Sequence, residues 1–436
     1  MILEWGLLVG LIFCGGYFSF RTKFFAIRNL GKSLQSVWKP SAEKGGISTF
    51  SSLCTTLGAT VGIGNIVGVA SAISLGGPGA LFWMLAVSIL GMSIKMAENI
   101  LGSLFRKKGP SGFIGGPFMY MEQGLGKRFK PLASMYALAC IFAGICGMGT
   151  IIQSSSVCDS AAALCETLFS VERTVLMKAI ISILVCAMTG IVILGGGNRI
   201  AKISSYIVPI MSAGYVLACL IVLYRFRSSI PGAVFGIFKN AFTPVCAVGA
   251  AAGISVKQAI LIGAQRGIFS NEAGLGTSSI TSAAAASSHA LQHGYLGIVS
   301  VFIDTVVLCT LTGLAVIVTG ATGETGMDAA MNFWEIGISA GSKWILQVFL
   351  MVFGYTSILG WNFYVERSVR YLFSSEKIVR IFQIIYLLAV FIGPFLSVNF
   401  AWKMADWTNA LMAIPNLIAL FLLRNKVLQK IKEQPK

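Results

Sequence analysis

The strongest constraint on this chain is a succession of long apolar runs with almost no charge inside them. Eleven stretches are long enough to span a bilayer, near residues 2–20, 50–75, 79–104, 131–164, 174–196, 203–224, 255–286, 293–320, 343–372, 378–397 and 403–424. Roughly 20 mainly apolar residues in a helix cross the hydrocarbon core. Of the 436 residues only 11% are charged and 56% are hydrophobic, whereas a soluble domain carries roughly 25% charged residues. Charge this sparse cannot coat a water-soluble globule of such size, so the bilayer is the solvent that suits it. The first stretch is rich in glycine and aromatic residues and lacks a small-residue cleavage site, so it reads as a helix and not as a signal peptide. The expected fold class is an all-α polytopic membrane protein with about eleven transmembrane helices.

The formal net charge is +17. Nucleic acid is the usual partner of a basic chain, but here Lys and Arg sit in short loops between apolar runs, which reports topology. Most of them fall on one side: Arg21 to Lys44, Arg106 to Lys130, Arg199, Lys202, Arg367 to Arg380, and the tail from Arg424 to Lys436. The opposite side holds Glu324, Asp328 and Glu335. The positive-inside rule then sets the N-terminus outside and the C-terminus in the cytoplasm of a cell (inner) membrane. No nucleic-acid role is expected, and the oligomeric state is open, a monomer included. Ten cysteines lie mostly in apolar runs without a C-x-x-C pair and read as small buried hydrophobes. His289 and His293 sit beside a loop and read as solvated.

Two stretches are interrupted in mid-membrane. One carries Thr60-Val61-Gly62-Ile63-Gly64-Asn65, the other Gly267-Ile268-Phe269-Ser270-Asn271-Glu272-Ala273-Gly274-Leu275-Gly276-Thr277. Glycine and polar residues weaken a helix that lipid otherwise enforces. Paired breaks at corresponding positions point to a transport site. One half-helix start offers N–H groups to a carboxylate, and the other half-helix end offers carbonyls to Na⁺ or an ammonium. Close helix packing is the alternative use of these glycines, but it leaves Asn65, Asn271 and Glu272 unexplained. Eleven stretches divide as one plus five plus five, giving an N-terminal helix and basic loop over 1–46, a first repeat over 47–226, a connector over 227–254, an inverted repeat over 255–424 and a tail over 425–436. The Gly- and Pro-interrupted run 231–250 reads as a re-entrant or interfacial connector.

Further polar groups lie in apolar surroundings, where they mark function by default. Gln153 and Asp159 share a stretch, with Gln153 facing either a cavity or a neighbouring helix. Asp304 stands in Phe302-Ile303-Asp304-Thr305. Lys95 and Glu98, one turn apart, suggest a pair near a membrane edge. Arg266 and Glu272 either hold the second break together or line a gate. Trp361 follows Thr356 and Ser357 by about one turn, and either walls a pocket or packs in the core.

At these residues the chain resembles the alanine/glycine:cation symporter family, over about residues 47–424. The motifs are Val61-Gly-Ile-Gly-Asn-Ile-Val-Gly-Val-Ala, Gly76-Gly-Pro-Gly-Ala-Leu-Phe-Trp-Met, Arg266-Gly-Ile-Phe-Ser-Asn-Glu-Ala-Gly-Leu-Gly, Phe302-Ile-Asp-Thr-Val-Val-Leu-Cys-Thr, and the run from Trp407 to Leu420. The resemblance implies a leucine-transporter-like fold with five-plus-five inverted repeats and one extra leading helix. It implies a sodium site at the carbonyls of Gly58 and Val61 and the hydroxyls of Thr356 and Ser357. Asn65 would join a second cation site or the substrate site, and amides near Ile63 and Gly64 would take the substrate carboxylate. Gln153, Phe269 and Trp361 would wall the pocket. Together with the breaks, the substrate set is Thr60, Gly62, Ile63, Gly64, Asn65, Gln153, Phe269, Ser270, Asn271 and Trp361. Departures from the family pattern include Ile63 where many members have Thr, and Ser278–Ser282 where Ala-Pro-x-Ala-His is usual.

The function expected is sodium-coupled symport of small neutral amino acids, alanine or glycine, with Na⁺ as coupling ion, H⁺ as its alternative, and no other cofactor. Proton-coupled or exchange transport of serine or D-alanine, and a passive channel or exporter, are the competing readings. No phosphate loop gives the chain a motor of its own, and no metalloprotease or serine-hydrolase motif appears. An enzyme is therefore not expected.

Overall fold

Lipid offers a backbone no hydrogen-bond partner, so apolar runs close on themselves as helices. A computed structural model describes residues 2–38, 46–109, 112–243, 256–287, 289–321 and 326–433. Their helices, in chain order, are α1 (Ile2–Arg21), α2 (Phe25–Arg28), α3 (Leu30–Ser36), α4 (Thr49–Thr60), α5 (Val67–Gly76), α6 (Gly79–Leu104), α7 (Pro117–Met119), α8 (Lys130–Cys146), α9 (Ile151–Phe169), α10 (Val175–Ile193), α11 (Gly196–Arg225), α12 (Ile230–Phe242), α13 (Val256–Asn271), α14 (Thr277–Ala283), α15 (Ala290–Val301), α16 (Thr310–Thr319), α17 (Gly326–Gly337), α18 (Lys343–Leu372), α19 (Glu376–Ile392), α20 (Val398–Leu422) and α21 (Arg424–Lys432). A π-helical stretch, Phe302–Cys309, joins α15 to α16. A short antiparallel hairpin, β1 (Lys107–Gly109) with β2 (Gly112–Ile114), follows α6.

The bundle is apolar outside as well as inside. Ile180 and Leu184 on α10, Ile210 and Leu217 on α11, and Ile384 and Leu388 on α19 all face outward. A soluble monomer rarely shows contiguous apolar surface on this scale, so these faces are the lipid contact. Among the described residues, eight helices are long and apolar enough to cross a membrane, or nine with the bent pair Thr49–Thr60 and Ile63–Gly76. Helix α1, Ile2–Arg21, is 20 residues long.

Two details differ from the sequence reading, the run 131–164 and His293. The run 131–164 is two helices, α8 and α9, separated at 147–150. Glycines make that third break possible, since a Cβ on Gly149 would lie 2.7 Å from the Trp361 Cβ. The run 231–250 begins as α12, whose Phe235, Phe238 and Phe242 are exposed. His293 is buried on α15, its ring nitrogens bonded to Ser282 O and Ser287 O at 2.7 and 2.9 Å; only His289 is exposed. Lys39, Lys44, Glu324, Lys436 and the connector over 244–254 lie outside the described residues.

Candidate substrate and cation site

The first break turns the chain by 68° between α4 and the segment after it. Val61 is extended (φ −76°, ψ 96°), so α4 stops there. Asn65 then closes a single 3₁₀ turn by accepting the Gly62 N–H on its Oδ1 at 3.0 Å. Of the sequence-predicted sodium ligands, Val61 and Ser357 meet at this stop, while the Thr356 hydroxyl donates to the Phe353 carbonyl at 3.0 Å. Ser357 Oγ lies 3.5 Å from the Val61 carbonyl. A Cβ on Gly58 would sit 3.6 Å from both the Thr356 Cβ and its carbonyl. Gln153 from α9 completes the group, because a Cβ on Gly62 would meet Ser357 Oγ at 2.8 Å and Gln153 Oε1 at 3.3 Å. Gln153 Oε1 is buried without a hydrogen-bond partner among the described residues. Carbonyl, hydroxyl and amide oxygens so gathered are hard, neutral donors of the kind unwound transporter helices offer Na⁺. The donor set therefore fits a monovalent cation.

A second polar cluster joins the two breaks. Asn65 Nδ2 donates to Asp304 Oδ1 at 2.8 Å and to Ser270 Oγ at 3.0 Å. Ser270 Oγ donates to Asp304 Oδ2 at 2.7 Å, and Thr305 Oγ1 does so at 2.8 Å. Asn271 Nδ2 reaches Thr305 Oγ1 at 3.1 Å, while its Oδ1 accepts the Ala273 N–H at 3.0 Å. Asp304 is 1% exposed, and the π-helical stretch carries it. Such bulges recur at functional sites. Asp304 was visible as a lone intramembrane carboxylate, but sequence alone gave it no partner.

The second break is a strained loop, with Glu272 (φ 54°), Gly274 (φ 92°) and Gly276 (φ 78°) in left-handed backbone. Glu98 supports it from α6: Oε1 accepts the Gly274 and Gly276 N–H groups at 3.0 and 3.1 Å. No hydrogen bond joins Lys95 and Glu98. Both are fully buried, and Lys95 Nζ has no hydrogen-bond partner among the described residues. Arg266 and Glu272 part company: Arg266 lies over the Trp402 ring at 5.4 Å, whereas Glu272 accepts from Thr277 Oγ1 at 2.6 Å inside the bundle. Asp159 is a surface residue paired with Lys178 at 3.0 Å.

A cavity of about 670 Å³ runs down to the second break between α1, α13 and α20, lined by Arg266, Phe269, Trp402, Lys403, Asp406 and Trp407 among others. Phe269 stands at its floor, 5.1 Å from the Trp402 ring and in reach of Gly64, whose Cβ would lie 3.4 Å from the Phe269 ring. Trp361 is fully buried elsewhere, packed edge-on to Tyr364 at 5.4 Å, and does not line this cavity. The opposite end of both broken helices is closed. Ile47 bridges Ala285 in parallel, with bonds of 3.0 Å to Ala284 O and 2.8 Å from Ala286 N. Arg106 donates to the carbonyls of Ala283, Ala285 and Ser287 at 3.1, 2.7 and 2.6 Å.

Two interrupted helices that meet over buried polar clusters, with one end open and the other closed, define a secondary transporter of the broken-helix class. The fold agrees: a Na⁺-coupled sialic acid symporter solved in a substrate-bound outward-open state superposes with a TM-score of 0.57 over 95% of this chain and 86% of that one, at 12% identity. The sodium:alanine symporter family profile matches residues 1–435, and the chain belongs to that family. Relatives include the sodium/alanine symporter AgcS of Methanococcus maripaludis, 36% identical over 98% of this chain and 94% of its own. The probable sodium/glutamine symporter GlnT of Bacillus subtilis is 34% identical over 98% of this chain and 87% of its own. The protein is thus a multi-pass, leucine-transporter-like membrane protein whose class is cation-coupled amino-acid symport, not an enzyme.

Proposed function

We propose that this chain carries alanine or glycine into the cell together with Na⁺, by alternating access across the inner membrane. The observation that carries the reading is the meeting of Val61, Ser357, Thr356 and Gln153 at the first break, beside the Asn65–Ser270–Asp304 cluster. Oxygens there suit Na⁺. The unwound 63–64 turn suits a carboxylate. Phe269 and the short distance to Gly64 leave room only for a small side chain. With the N-terminus outside, the open cavity faces outward and the Ile47–Ala285 bridge closes the cytoplasmic end. Symport then needs the bridge and the Arg106 contacts to part while α20 folds over Phe269. In this reading α4–α5 and α13–α14 open two inverted five-helix repeats over 47–226 and 255–424, preceded by α1, eleven crossings in all. The family name and the sodium/alanine name of a 36% identical relative support the substrate.

The sodium assignment is tested by replacing Thr356 and Ser357 together with Ala. Loss of two oxygen ligands at roughly 1 kcal/mol each should raise the sodium concentration for half-maximal uptake by about tenfold or more. An unchanged sodium response in a well-expressed variant would remove these residues from the site.

A further inference from the structure

The two breaks differ in one respect that bears on where the substrate can bind. Gly274 and Gly276 are left-handed, with φ of 92° and 78°, so their N–H groups point into one concavity, the kind of backbone nest that binds anions. In this protein the nest is already filled. Glu98 Oε1 accepts both N–H groups and also the Asn416 side chain, whose Nδ2 lies 2.8 Å away. The same Nδ2 donates to Gly274 O at 2.8 Å, and Tyr120 OH donates to Asn416 Oδ1. Glu98 and Asn416 are both fully buried. Asn416 follows Pro415, the proline inside α20, where a helix loses a backbone bond and bends most readily. The part of α20 before that proline supplies Trp402, Asp406 and Trp407 to the cavity wall.

We propose that Glu98 and Asn416 are positioning residues for transport: Glu98 is the resident anion of the second break, and Asn416 ties that break to the pivot of α20. Two consequences follow. The substrate carboxylate is directed to the first break alone, because the equivalent anion position in the second is taken. Movement of the cavity wall about Pro415 and the geometry of the second break are one mechanical event, because a single amide bonds both. The substrate part of this inference rests on the proposed function; the clamp itself does not.

Hydrogen–deuterium exchange of the peptide covering 272–278, in the full-length purified protein without ligand, reads the clamp directly. Glu98→Ala and Asn416→Ala should each speed exchange of that peptide by about tenfold or more, since each removes a charge-assisted bond. Glu98→Gln keeps one acceptor oxygen and should fall between them and wild type. Ser93→Ala removes a buried hydrogen bond on the same helix, to Ser19 at 2.9 Å, and should leave the peptide unchanged. Alanine affinity should fall in the same order, by about tenfold for Asn416→Ala. Should Glu98→Ala fail to fold, Glu98→Gln and Asn416→Ala decide. Unchanged exchange in Asn416→Ala, equal loss in Ser93→Ala, or raised exchange with wild-type alanine affinity would each overturn the inference. If wild type binds no alanine, the substrate reading alone fails, and exchange still decides the clamp.

Discussion

At the scale of single residues, Gly62 is the position where one added carbon decides most. Its Cβ would lie 2.8 Å from Ser357 Oγ and 3.3 Å from Gln153 Oε1, inside the proposed cation site. Gly64 is more forgiving, since its nearest neighbour would be the Phe269 ring at an ordinary 3.4 Å. Gly62→Ala should therefore weaken alanine and sodium binding by about tenfold or more, a loss of roughly 1.4 kcal/mol, with Gly64→Ala milder. Gly68→Ala is the control, because nothing lies within 4 Å of its added Cβ. Gly79 cannot serve, since Asn240 O would sit 2.3 Å from the new carbon. Calorimetric titration of the three variants gives the order, and a Gly64→Ala loss larger than that of Gly62→Ala would contradict it. Asp304→Asn removes a carboxylate that accepts from Asn65, Ser270 and Thr305. It should cost about ten- to a hundredfold in substrate affinity, the range of one buried charged hydrogen bond, while the variant still inserts.

Elements were the most legible level. Apolar length predicted the long helices because lipid leaves the backbone no alternative, and both breaks lie at the expected glycine and polar runs. The break between α8 and α9 was hidden because Gly144, Gly147 and Gly149 sit in an otherwise unbroken apolar run, where glycine also serves helix packing. The partners Glu98 and Asn416 were hidden because they lie 318 positions apart, a pairing that no local pattern encodes. Val61 and Ser357 come from two separate segments, and here the family resemblance, not the local pattern, paired them, while it set Gln153 among the pocket walls. The second break carries its own prediction. Gly276→Ala would force a Cβ into left-handed backbone and set it 2.3 Å from Pro117 Cγ. It should lower stability by roughly 1–3 kcal/mol, read as a drop in Tm, with alanine affinity falling alongside. An unchanged Tm would show that the break relaxes freely.

Across the whole molecule, the cavity floor separates two roles that the sequence joined. Phe269 touches the cavity, so Phe269→Ala should let leucine compete with alanine for uptake. Trp361 is packed away from it, so Trp361→Ala should chiefly cost stability, roughly 3 kcal/mol or more for a large buried aromatic ring. Competition by leucine in Trp361→Ala, with unchanged Tm, would restore it as a pocket wall. In the proposed function a cation gradient drives a small neutral amino acid through the two broken helices. The most direct measurement is uptake of labelled alanine into proteoliposomes under an inward Na⁺ gradient, under equal Na⁺, and under a proton gradient without Na⁺. Accumulation above the external alanine concentration only with the Na⁺ gradient, which the Thr356→Ala/Ser357→Ala variant reaches only at about tenfold or more higher sodium, is the result expected. Uptake that merely equilibrates under all three conditions, or that accumulates with protons alone, would contradict it.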